Sequence, residues 1–159
     1  MKNIVLFGIK HCGKTTYGKK LATKLGQPFI DTDDLIEKMY HKKYNEQLSL
    51  RQIINKHGVK LFEELEQKVV ASLANTTNTI IAVGGSTLLN PANLELLKNN
   101  STLTYLKIDA KIAFKRILQT GIPSFLDKNN LEQSFADYVE LRTKFYSTIC
   151  DKAIVATED

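Results

Sequence analysis

Gly8-Ile9-Lys10-His11-Cys12-Gly13-Lys14-Thr15-Thr16 has the spacing of a phosphate-binding loop, with four residues between two glycines, followed by lysine and threonine. The flanking sequence has the pattern such a loop needs. Ile4-Val5-Leu6-Phe7 before it is a short apolar run of strand formers. After it, Leu21, Ala22 and Leu25 fall on one face of a helical pattern running from Tyr17 to Leu25. Gly8 and Gly13 allow the backbone to wrap closely around an oxyanion. Amide groups of the loop and of the helix N-terminus then point at phosphate oxygens. Lys14 is placed to reach the β- and γ-phosphates, and the Thr15 hydroxyl to ligate Mg²⁺. The loop residues Gly8, His11, Cys12, Gly13, Lys14, Thr15 and Thr16 are therefore the expected nucleotide contacts, with a nucleoside triphosphate and Mg²⁺ the expected cofactors.

Alternating signals extend along the rest of the chain. Strands are expected over 3–8, 28–31, 79–83, 102–108 and 153–156. Helices are expected over 14–25, from Asp33 to about Met39, from Leu50 to about Asn55 behind a Ser49 cap, and over 59–74, 91–98, 110–118 and 131–150. Phe62, Leu65, Val69 and Leu73 repeat at helical spacing. Strands alternating with helices across short loops predict an α/β fold in three layers, a five-stranded parallel sheet with helices on both faces. The 159 residues are enough for one such domain, expected over 1–159.

Composition narrows the function classes. The net charge is +5, but the basic residues are mostly lysines scattered over helix faces, with no basic-aromatic stripe. An anionic small substrate is expected rather than nucleic acid. No apolar run approaches the roughly 20 residues of a membrane span. Met1-Lys2-Asn3 leads straight into the first strand, so no leader is expected. Cys12 and Cys150 are too few for a disulfide framework, and Cys12 is expected as a small side chain within the loop, not as a nucleophile. A cytoplasmic, reduced monomer is the expectation.

In an open parallel sheet, ligands bind beyond the carboxyl ends of the strands. The second strand ends in Asp31-Thr32-Asp33 and the third in Gly84-Gly85-Ser86. On an extended segment, Asp31 and Asp33 project to opposite sides. Asp31 is then placed to hold Mg²⁺ through water, and Asp33 to accept from, or deprotonate, an acceptor hydroxyl. Asp33 or Asp34 could instead simply cap the following helix. Gly84-Gly85 is a turn, or a place where substrate approaches the backbone.

The ordered set of these segments resembles the shikimate kinases. The loop, Phe29-Ile30-Asp31-Thr32-Asp33, His57-Gly58 leading into Phe62 and Glu66, Gly84-Gly85, Arg116, Pro123 and Arg142-x-x-x-Tyr146 follow in the family's order over nearly the whole chain. The resemblance implies a nucleoside-monophosphate-kinase-like fold and transfer of a phosphoryl group from ATP to the 3-hydroxyl of shikimate. It implies that Lys14 stabilises the transferring group and that Thr15 and Asp31 serve Mg²⁺. It further implies that Asp33, Gly84, Gly85 and Arg142 contact shikimate, with Lys14 and Asp33 catalytic. Arg116 is implied to pack on adenine, residues 118–130 to form a lid, and residues 33–74 to supply the substrate-binding helices. The chain departs from the family pattern at Glu63 and at Ile122, where arginines are usual, and at Ser86, where a third glycine is usual. Glu63 is expected to face the pocket and repel a substrate carboxylate. Only Arg51, Arg116 and Arg142 remain as arginines.

Overall fold

The computed structural model describes residues 2–156. Its strands are β1 (Asn3–Phe7), β2 (Phe29–Asp31), β3 (Ile80–Ala82), β4 (Ser101–Lys107) and β5 (Lys152–Val155). Its helices are α1 (Lys14–Leu25), α2 (Thr32–Tyr44), α3 (Leu50–His57), α4 (Val59–Ser72), α5 (Pro91–Asn100), α6 (Ala110–Thr120) and α7 (Leu131–Ile149). A 3-10 turn at Thr87–Leu89 precedes α5. The five strands form one sheet in the order β2-β3-β1-β4-β5, and every neighbouring pair is parallel.

The apolar runs make this sheet because both of its faces are covered. Along β1 the side chains alternate between two cores. Ile4 and Leu6 pack with Ala22 of α1 and with Ile80. Val5 and Phe7 pack into the larger core with Leu97, Ile117, Phe135 and Tyr146. A separate cluster of Ile36, Tyr40, Ile53, Leu65 and Val69 binds α2, α3 and α4 to one another beside the sheet. Leu25, expected on the buried face of α1, is instead 46% exposed at the helix end. No helix among the described residues is long and apolar enough to cross a membrane.

Local chemistry sets the helix boundaries. Ser49 and Gln52 form a reciprocal capping box at the start of α3. Asn90 caps α5, with Pro91 in its first turn. The helix after β2 begins at Thr32, earlier than the sequence pattern suggests, and its cap is Asp31. Asp31 Oδ1 accepts a 2.9 Å hydrogen bond from the Asp33 amide. One expectation fails as a result, and so does the capping alternative. Asp33 and Asp34 lie inside the first turn of α2 and cap nothing, and the Asp31–Asp33 pair does not lie on extended backbone. Two acidic side chains in a helix's first turn are favoured by its dipole.

The connection from β1 runs to β2 on one side and that from its neighbour β3 crosses to β4 on the other, so these adjacent strands are continued in opposite directions. The crevice opens at such a reversal, beyond the carboxyl ends of the strands. The loop after β1, the Asp31 end of β2 and Gly84-Gly85 after β3 all meet there.

Candidate active site

The crevice is a cleft of about 540 Å³. Its walls carry the loop residues Lys10, His11 and Gly13 to Thr16, Asp33 from α2, Arg51 from α3, Phe62 from α4, Gly84-Gly85, Pro123 to Phe125, and Tyr138 and Arg142 from α7.

The phosphate loop is shaped by close approach. A Cβ on Gly8 would stand 2.6 Å from the Leu106 carbonyl and 2.8 Å from Cys12 Sγ, so only glycine fits beneath the loop. Cys12 is 1% exposed and is a packing group, as expected of it. His11 adopts φ 67°, a left-handed conformation uncommon for a side-chain-bearing residue. Arg116 Nη1 donates to the His11 carbonyl at 2.7 Å, and Thr120 Oγ1 lies 3.2 Å from the His11 ring. Partial burial, then the charges of Lys10, Lys14 and Arg116, hold the His11 imidazole below its ordinary value. Lys14 Nζ donates to the carbonyls of Gly8 at 3.0 Å and Ile9 at 3.2 Å, which places its charge within the loop's curve. Arg116 also borders a second hollow, lined by Gly13, Thr16, Tyr17, Leu106 and Ala156 on the outer side of the loop.

Beside Lys14, Thr15 Oγ1 donates to Asp31 Oδ2 at 2.9 Å. This hydroxyl and carboxylate are both hard oxygen donors. Mg²⁺ keeps several waters and binds substrate phosphates, so it does not need an all-protein cage. The pair therefore fits Mg²⁺, although no group of three or more His, Cys, Asp or Glu side chains among the described residues could hold a metal alone.

Across the cleft, Asp33 is deeply placed. Burial first, then the neighbouring Asp31 carboxylate, push its pKa up to about 6, while Lys14 pulls the other way. Gly84 lies against it, and a Cβ there would stand 3.2 Å from Asp33 Oδ1 and 3.3 Å from Thr87 Oγ1. Glu66, 3% exposed, accepts from Thr87 Oγ1 at 2.8 Å. Burial raises it to about 7, and the charges of Asp33 and Glu63 add to the effect. Arg142 Nη1 donates to the Gly85 carbonyl at 2.8 Å, and its guanidinium lies 5.2 Å from the centre of the Tyr138 ring. Tyr146, one turn further along α7, donates to the same Gly85 carbonyl. This explains the Arg142-x-x-x-Tyr146 spacing, because both side chains clamp the turn after β3.

Asp33, Gly84, Gly85 and Arg142 thus stand in one cleft with Lys14 and Thr15. Glu63 does not join them. Phe62 lines the cleft, whereas Glu63, one step around α4, is exposed and absent from its walls. The expected direct repulsion of a bound carboxylate does not arise, since a helix turns each successive side chain by about 100°. Lys10, Arg51, Tyr138 and Glu66 were not assigned to the site from the sequence. For Lys10 and Arg51 the available signal was charge in a chain that lacks the usual arginines. For Glu66 it was a carboxylate between the apolar helix positions Leu65 and Val69.

Residues 10–159 match the family model described as shikimate kinase. Among its relatives, the shikimate kinase of Caldanaerobacter subterraneus is 38% identical over 146 residues, covering 92% of this chain and 82% of that protein. The shikimate kinase of Clostridium botulinum is 33% identical, covering 95% of this chain and 88% of its own. Among solved structures, the shikimate kinase of Acinetobacter baumannii in complex with shikimate superposes with a TM-score of 0.86 at 27% identity, covering all of this chain and 86% of that one. The shikimate kinase of Aquifex aeolicus gives 0.78 at 29% identity, covering 99% of this chain and 88% of its own.

Proposed function

The chain belongs to the shikimate kinase family, and on that premise we propose that it transfers the γ-phosphoryl group of ATP to the 3-hydroxyl of shikimate. One observation carries the reading. The phosphate loop and the set Asp33, Gly84, Gly85 and Arg142 line a single cleft, so a donor on Lys14 and an acceptor on Asp33 meet inside it.

Loop amides, the N-terminus of α1 and Lys14 bind the phosphates. Arg116, tied to the loop through His11, packs on the base at the loop's outer side. Thr15 and Asp31 would hold Mg²⁺, which would supply charge neutralisation at the transferring phosphate. On the acceptor side, Gly84 lets the ring approach the backbone, and Arg142 binds its carboxylate. Asp33 accepts a hydrogen bond from the acceptor hydroxyl and takes its proton as the new P–O bond forms. With a pKa of about 6, Asp33 is ionised at neutral pH yet close enough to it to act as a base. The segment joining α6 and α7 carries Pro123, Ser124 and Phe125 into the cleft wall and serves as the lid. It begins later than the expected residue 118, since residues 118–120 still belong to α6. We infer a cytoplasmic monomer that acts on this small molecule and engages neither nucleic acid nor membrane.

A coupled assay of ADP release with ATP, Mg²⁺ and shikimate tests the reading. Shikimate-dependent release is expected. Turnover with a different polyol but none with shikimate would reassign the acceptor, and nucleotide binding with no turnover on any hydroxylated acceptor would sink the kinase reading. Within the same assay, Gly84→Ala is expected to raise the KM for shikimate by about tenfold or more, because the new methyl displaces Asp33 or Thr87. Nucleotide affinity, measured by ADP calorimetry, is expected to stay at the wild-type value.

A further inference from the structure

A carboxylate-bearing acceptor brings a permanent negative charge into the cleft, and cations must answer it. Arg142 supplies one. Position 63, where the family resemblance leads one to look for the other, holds Glu63, exposed and outside the cleft walls. The remaining lysine and arginine side chains on those walls are Lys10, Lys14 and Arg51. Lys14 lies in the curve of the phosphate loop, bonded to the Gly8 and Ile9 carbonyls. Arg51 Nη2 donates to the Ile122 carbonyl at 2.9 Å, which holds it on the lid backbone.

Lys10 differs from both. Its amide donates to Tyr138 Oη at 3.5 Å and lies 3.9 Å from where a Gly85 Cβ would stand. Those are the same two residues that Arg142 touches through the Gly85 carbonyl and the Tyr138 ring. The Lys10 backbone therefore lies on the acceptor side of the cleft, whose wall the residue lines, although Lys14, four residues later, serves the donor side. Among the described residues the Lys10 ammonium has no hydrogen-bond or ion-pair partner. Its charge is felt by, and feels, Asp33, Lys14 and Arg51, so it stands within the cleft's field. Partial burial and then repulsion from Arg51 lower its pKa. An anion placed against it relieves both.

We propose that Lys10 is the second carboxylate-binding cation of this kinase, acting with Arg142 on the acceptor in place of a cation at position 63. The proposal rests on the function given above and names a specificity residue for it. A flexible ammonium from the phosphate loop replaces a guanidinium from α4, so the acceptor's charge is read from the opposite wall of the cleft.

Steady-state kinetics on Lys10→Met and Lys10→Arg test this, using shikimate and the analogue in which its carboxylate is reduced to a primary alcohol. Lys10→Met is expected to raise the KM for shikimate roughly ten- to a hundred-fold, the loss of one charge-assisted hydrogen bond. Turnover and the KM for ATP are expected to move by less than about threefold, because the carboxylate keeps its charge through the reaction. Lys10→Arg restores most of the loss. On the uncharged analogue, wild type and Lys10→Met are expected to share one KM. A shikimate KM within about twofold of wild type overturns the proposal while leaving the kinase reading intact. An equal rise for the uncharged analogue overturns it too, since Lys10 would then act on loop shape. A parallel rise in the KM for ATP assigns Lys10 to the phosphates and also overturns it. Wild type without shikimate turnover removes the function reading, and this proposal with it.

Discussion

Lys14→Ala is expected to lower turnover by about 10³-fold. The Lys14 ammonium lies inside the loop on the Gly8 and Ile9 carbonyls. It is thus fixed where charge shifts from the transferring group to the leaving oxygen. A group that meets charge only as it develops acts on turnover more than on ground-state affinity. Calorimetry with Mg-ADP is accordingly expected to show a smaller loss than the ADP-release assay. Lys14→Arg is not expected to rescue, because a planar fork cannot occupy the carbonyl-lined site of a compact ammonium. A turnover loss below about tenfold would mean that the loop stores nucleotide without driving transfer.

Asp33→Asn is expected to move activity and stability in opposite directions. Turnover falls by about 10²- to 10⁴-fold as the base is lost. The fold gains, because the native protein carries a carboxylate whose pKa is raised from the ordinary 3.8 to about 6 by burial and by Asp31. A raised carboxylate opposes folding when ionised. That penalty is absent below the unfolded value, grows as pH rises through the interval up to about 6, and is complete above it. Asparagine removes it, and ~1–3 kcal/mol of added stability at pH 8 is expected. Thermal denaturation should show a midpoint raised by several degrees at pH 8, with the difference from wild type vanishing near pH 3.5. The wild-type pH profile of kcat/KM should fall on its acid side with an apparent pKa near 6. An unchanged or lowered midpoint at pH 8 would show that Asp33 is not held against its solvation.

The fold was legible wherever burial is two-sided. Ile80-Ile81-Ala82 and Val5-Leu6-Phe7 are continuous apolar runs, and both lie in the sheet with helices on each face. Strand order was not legible, because nothing in the spacing of Ile4 or Ile80 tells which strands become neighbours. Within the site, the loop could be read because its glycines answer a local demand of the backbone. Asp33 was misplaced on extended backbone because an N-cap depends on where the first helical residue falls, and α2 begins at Thr32. Glu63 was misplaced by one helical step, since Phe62 and Glu63 are adjacent in sequence and turned apart on α4. Lys10 escaped notice because an irregular loop has no periodicity from which a side chain's direction can be read.

β1 lies at the centre of the sheet, and its partners come late in the chain. Ile4 must wait for Ile80 on one side and Thr102 on the other. During synthesis the phosphate loop therefore leaves the ribosome early but gains its scaffold late. The Leu106 carbonyl that packs under Gly8 arrives with β4, and the Tyr146 hydroxyl that reaches the Gly8 carbonyl arrives with α7. Parallel pairing of this kind closes long loops before it is rewarded, which makes folding slow for the chain's length. The nascent N-terminal half, with Val5, Leu6 and Phe7 still unpaired, is the stretch most exposed to premature association. The phosphate loop is therefore braced on both sides only in the finished fold, where a bound nucleotide adds to the stability of the native state.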